Sequence, residues 1–198
     1  LNVTITITGT APLLMHNSTL ANPLHPLTKS LKKITSKPSQ RWVDEDHIAK
    51  YRIQFEGALY HDSEQGPYMP GTNIAKALQE GAGLIVRGMG AKVKRGVFLV
   101  SPINPLRYDG PRDITGLFND QRFQRVLPVN GNPSASKKST VMSCRPVFLN
   151  WSCTATALIN PATIGLDDLE KAIKAAGQMV GLGDWRPWHG RFDATVEG

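Results

Sequence analysis

Residues Asn2 to Thr8 alternate Val3, Ile5 and Ile7 with Asn2, Thr4, Thr6 and Thr8, a period of two that predicts a first strand with one buried face. The pattern then dissolves. From Ala11 to Gln40 the chain holds Pro12, Pro23, Pro26 and Pro38 with Lys29, Lys32, Lys33 and Lys37 between them, and reads as a long functional or mobile loop. Asp44, Glu45 and Asp46 open a helical stretch through His47, Ile48, Tyr51 and Phe55, acids placed where the helix dipole favours them. A short strand is expected at Ala58 to Tyr60, ahead of a turn from His61 to Pro67.

After Met69-Pro70-Gly71 a second helix is predicted over about Thr72 to Val86, with Ile74, Leu78, Ala82 and Ile85 on one face, Thr72 or Asn73 as its cap, and Gly88 and Gly90 ending it. The basic run Lys92 to Arg95 leads into a compact apolar strand, Gly96 to Val100. Ser101 to Ser139, rich in proline, reads as irregular, and its part Asn130 to Ser139 as flexible. Thr140 to Leu149 and Trp151 to Ile159 are expected to form an antiparallel hairpin joined at Asn150. Leu166, Leu169, Ile173, Ala176 and Val180 mark a third helix, and Arg191 to Val196 a closing strand.

With 11–60 set aside as a basic, proline-rich, partly helical insertion, the order becomes strand, helix, strand, strand, helix, strand. That is the α+β, ferredoxin-like or RRM-like βαββαβ order, with an antiparallel sheet, two helices on one face and the other face open. No internal repeat or clean boundary is visible, so a single domain over 1–198 is expected, with a second long loop insertion at 101–139.

At 198 residues and 40% hydrophobic content, the chain can form one sizeable core, or a core plus an elaborate subdomain, and disorder throughout is not expected. Lys and Arg number 23 against 16 Asp and Glu, a formal net charge of +7 that suits a nucleic-acid or other acidic partner. The two cysteines, Cys144 and Cys153, lie on adjacent strands with no CxxC pair and no histidine at ligand spacing, which argues against zinc and for two free thiols in a reducing cytoplasm. No apolar run reaches the roughly 20 residues needed to span a bilayer. A cytoplasmic protein without metal or cofactor is expected.

The excess charge falls in clusters. Lys29, Lys32, Lys33, Lys37 and Arg41, followed by Trp42, occur in a stretch with no acid from Leu1 to Val43. Arg87, Lys92, Lys94 and Arg95 form a second cluster, and Lys137 and Lys138, with Arg145 beyond them, a third. The glycine-rich loop from Gly181 to Phe192 adds Arg186, Trp188, His189 and Arg191. Point charges at intervals suit a phosphate track, and Trp42 and Trp188, flanked by Arg41 and by Arg186 with His189 respectively, are the expected base-stacking partners. Trp185 and Trp151 are expected to pack inside.

The Pro70-Gly71-Thr72 helix opening and the loop bearing Gly181, Gly183, Gly190, Arg191 and Phe192 resemble the pattern of the repeat-associated (RAMP) superfamily of CRISPR proteins. The resemblance covers about a third of the chain and implies a ferredoxin-like core that binds single-stranded nucleic acid along its backbone. It also implies assembly as a homo-oligomer or filament, with 11–60 as a thumb-like or finger-like appendage. The sequence also resembles small phage-encoded proteins, which implies a stand-alone single-strand binder in a host cytoplasm. The expected function is binding of single-stranded DNA or RNA with little sequence preference and without catalysis. Two rivals remain: a metal-independent endoribonuclease using His16 as acid or base, and a protein-interaction module such as a phage inhibitor or virion component.

Overall fold

The computed structural model describes residues 1–131 and 140–198. They divide into two compact units, one made of Leu1–Leu14, Tyr60–Arg112 and Phe148–Gly198, the other of Met15–Leu59 and Asp113–Val147. In chain order the strands are β1 (Asn2–Gly9), β2 (Leu13–Leu14), β3 (His61–Asp62), β4 (Gly66–Pro70), β5 (Val97–Leu99), β6 (Ile103–Pro105), β7 (Gln124–Asn130), β8 (Thr140–Phe148), β9 (Ser152–Ile159) and β10 (Phe192–Glu197). The helices are α1 (Pro26–Thr35), α2 (Asp44–Ala58), α3 (Gly71–Ile85), α4 (Met89–Gly96), α5 (Ile114–Asn119) and α6 (Leu166–Ala175).

The first unit is built on an antiparallel sheet in the order β10-β1-β9-β5. Numbered among themselves, these strands stand 4-1-3-2, with α3 between the first and second and α6 between the third and fourth, which is the ferredoxin-like arrangement. Alternation along each strand decides the buried face. Val3, Ile5 and Ile7 of β1 are buried together with Cys153, Ala155, Ala157 and Ile159 of β9, and the register sets Ile5 opposite Ala155 on one side and Val196 on the other. Ile74, Ala77, Leu78 and Ala82 of α3 and Leu169, Ala172 and Ile173 of α6 complete the core. Removing this apolar surface from water at about 25 cal/mol per Å² is the main force holding the unit together.

The sheet's other face carries Thr4, Thr6 and Thr8 of β1 beside Thr154 and Thr156 of β9 and Asp193, Thr195 and Glu197 of β10. None of β1, β5, β9 and β10 contains lysine or arginine. The cations of this unit therefore come from outside the sheet. A second, small sheet pairs β3 with β4 and β4 with β6.

The second unit contains α1, α2, α5, β7 and nearly all of β8. Phe55 of α2 is fully buried and meets Phe118 edge-on at 5.6 Å. Lys50 donates from Nζ to the carbonyl of Met142 at 2.8 Å, and the Gln54 side chain accepts from the Cys144 N–H at 3.2 Å, which docks α2 on β8.

Several expectations are corrected here. The hairpin at Asn150 does not form: β8 pairs with β7, while β9 pairs with β1 and β5. Period-two patterning identifies a strand, but its partner is chosen by which apolar face it can cover. The stretch 101–139, expected as a long loop, carries β6, α5 and β7. The lysine-rich part of 11–60 is the helix α1, with Pro26 at its first turn, where the missing N–H is no loss, and the His25 ring accepting from the Leu27 N–H at 3.3 Å. Gly88, with φ of +87°, turns the chain into α4, so the basic run Lys92 to Arg95 is helical rather than a connection. The short strand expected at Ala58 to Tyr60 is instead the end of α2 and its exit. Among the described residues no helix is long and apolar enough to cross a membrane.

Candidate nucleic-acid interface

The closing loop of the first unit is the best-defined candidate. After α6 the chain passes through one wider turn, Ala176–Val180. Gly181, Gly183 and Gly190 then adopt φ of +79°, +80° and +72°. Leu182 donates its N–H to the Gly190 carbonyl at 2.8 Å, closing the neck of the loop. The Asp184 and Gly190 N–H groups donate to the carbonyls of Leu14 and Pro12 at 2.7 and 2.8 Å, and Thr10 and Ala11 donate to the Arg191 carbonyl at 2.8 and 3.2 Å. A Cβ on Gly183 would run into the Leu14 carbonyl, and one on Gly190 into that of Leu182. Glycine is required here by backbone approach as well as by dihedral angle.

On this fixed backbone Trp188 is 82% exposed. Arg191 is exposed beside the loop's exit. Arg186, expected to meet phosphate, donates from Nη1 to Glu80 Oε2 of α3 at 3.1 Å. Both side chains keep solvent contact, so the pair adds only about 0–1 kcal/mol to stability and mainly fixes where the two groups point. His189 is half-buried, edge-on to Trp185 at 6.2 Å.

Trp185 corrects the expectation of a core residue. It is 43% exposed, and its φ of +55° is an outlier for so bulky a side chain. Together with Glu80, Leu84, Met179 and Arg186 it lines a depression of about 720 Å³. The signal for this site lay in the glycine spacing around Trp185; its α3 contribution left no mark in local sequence. Trp151 does pack inside, 4% exposed, donating from Nε1 to the Ala11 carbonyl at 2.9 Å.

The remaining predicted residues fall into separate groups. In the first unit Arg87, Lys92, Lys94 and Arg95 are all exposed on and just before α4, a helix without acids. In the second unit Lys29, Lys32 and Lys33 are exposed along α1. Lys37 instead pairs with Asp46 at 2.7 Å, and that hydrogen bond, helped by the Val43 N–H, holds the Asp46 carboxyl below its ordinary value. Arg41 is exposed, whereas Trp42 is half-buried, donating from Nε1 to the Lys37 carbonyl at 3.0 Å and standing edge-on to His47 at 5.0 Å. Lys50 Nζ lies 5.7 Å from the Trp42 ring centroid. Lys137 and Lys138 lie outside the described residues. His16 is exposed in the second unit.

Cys144 and Cys153 are fully buried and unbridged. Burial pushes their thiols up to about 11 and about 12 respectively, against the smaller opposing pull of Arg145 on the first and Arg107 on the second. Among the described residues no group of three His, Cys, Asp or Glu is placed to hold a metal ion.

No protein-family model matches the sequence, and no curated protein does. A structural match is found to a chain in the cryo-EM structure of the Type III-B Cmr-beta bound to cognate target RNA, at 12% identity and a TM-score of 0.47. The match covers 99% of this chain and 59% of that one, so the chain spans less than two thirds of the length of its structural neighbour.

Proposed function

We propose that this protein binds single-stranded nucleic acid, DNA or RNA, through cationic contacts to phosphates and stacking of a base on Trp188, and that it does so without cleaving the strand. The observation that carries the reading is Trp188 itself: an indole 82% exposed on a backbone pinned by hydrogen bonds at both ends of its loop. Exposing so large an apolar ring is unfavourable for a free surface and useful for a stacking platform, worth about 1–3 kcal/mol per base. Arg191 follows it within the same loop, and the acid-free α4 offers Lys92, Lys94 and Arg95 to a backbone track. Self-association along the strand belongs to the same proposal.

Fluorescence anisotropy with a labelled single strand at rising salt tests the reading. The affinity should fall linearly on a log–log plot, with a slope of about −0.7 for each phosphate neutralised. Affinity indifferent to salt would refute it. Incubation with labelled RNA should leave the RNA intact; cleavage that His16→Ala abolishes would replace this reading with the ribonuclease one.

A further inference from the structure

The depression beside Trp185 has a chemistry that phosphate tracking does not use. Leu84 and Met179, 60% and 48% exposed, form apolar walls with the Trp185 indole, and a carboxylate stands at the rim. Carboxylates repel phosphates, so Glu80 has no place on a backbone track. The Trp185 backbone is held in its left-handed conformation from both sides: its N–H donates to Asp184 Oδ1 at 3.1 Å and its carbonyl accepts from the His189 N–H at 3.1 Å. Strain of this kind persists where surrounding structure enforces it, and here it keeps the indole at the wall of the depression rather than in the core.

We propose that this depression receives one nucleobase, guanine by preference, from the strand bound at the Trp188 loop; the inference rests on the nucleic-acid reading above. Flat apolar walls suit any base, so the choice falls to Glu80. Its Oε2 accepts from Arg186 Nη1 at 3.1 Å, and its Oε1 lies 4.0 Å from Lys76 Nζ. Each carboxylate oxygen has a further lone pair to offer. Guanine alone presents two adjacent N–H donors, N1–H and N2–H, in the spacing that a carboxylate accepts bidentately. Adenine and cytosine set an acceptor beside their amino group, and uracil flanks its single N–H with two carbonyls, so each of them turns an acceptor toward the carboxylate. Arg186 fixes the Glu80 rotamer and offsets its charge. In this role it orients the carboxylate that reads the base.

The test compares the full-length protein's affinity for two labelled single strands of equal length, one all uridine and one with guanine at alternating positions, in RNA and DNA forms. The guanine-bearing strand should bind tighter by on the order of 10-fold, as one good bidentate contact gives. In Glu80→Gln the ratio should fall toward one. Met179→Lys, which fills the depression with a charged chain, should lower it as well, with thermal melting confirming that both variants fold. Equal affinities in the wild type, or a preference that survives both substitutions, would overturn the guanine site and leave the nucleic-acid reading standing. Failure to bind either strand would overturn both.

Discussion

The backbone N–H of Asp184 donates to the carbonyl of Leu14 at 2.7 Å, joining the glycine-rich loop to a strand far away in sequence. The side chains that follow that bond, from Trp185 to Arg191, therefore sit on a loop pinned at Asp184 and again at Gly190, whose N–H donates to the Pro12 carbonyl. Preorganisation of this kind removes an ordering cost that a flexible binding loop would have to meet on each encounter.

Gly190 and Gly83 should respond to alanine with opposite signs. At Gly190 the new Cβ meets the Leu182 carbonyl at a φ of +72°, so Gly190→Ala should destabilise the protein by at least the roughly 1–3 kcal/mol of a strained dihedral. Gly83 lies inside α3, where an added Cβ would meet nothing within 4 Å, so Gly83→Ala should stabilise by about 0.5–1 kcal/mol. Denaturant unfolding of the two variants checks both.

Trp188→Ala should weaken single-strand binding by about 1–3 kcal/mol while leaving the melting temperature within experimental scatter, because the ring has little burial to lose. A matched drop in melting temperature would show that the indole supports the fold instead.

Replacing Lys92 and Lys94 by alanine should weaken binding to all sequences alike and reduce the salt slope by about 0.7 for each phosphate contact removed. A slope unchanged from the wild type would take α4 out of the binding surface.

The thiols carry a pH dependence. Both folded-state values lie above the ordinary 9.0, so the native state retains its thiol protons where the unfolded chain has lost them. Their contribution is complete below pH 9.0 and is lost as pH rises through about 11 and about 12. Stability should fall across that alkaline window, and less steeply in Cys153→Ala if that variant folds. At neutral pH a thiol reagent should modify neither cysteine until denaturant is added.

Local pattern alone made elements of both units legible. The alternation of Val3, Ile5 and Ile7 identified β1 and its buried face, the helical spacing of Ile74, Leu78 and Ala82 identified α3, and the acids opening α2 marked its start, because each signal lies within a few residues of what it specifies. The order of elements then pointed to the ferredoxin-like sheet. Partnership was decided only on folding. β8 and β9 are separated by three residues and share one pattern, yet each pairs in a different sheet, because the pairing depends on which distant apolar surface each covers. The site shows the same division. Glycines from Gly181 to Gly190 announced a backbone built for close approach, but nothing local distinguishes Trp185 from Trp188, and no periodicity links Arg186 to Glu80 across 106 positions. Those relations are set by the packing of α3 against the end of α6 and by carbonyls of Pro12 and Leu14 that receive the loop, contacts between segments whose separation along the chain erases any trace of them in the order of residues.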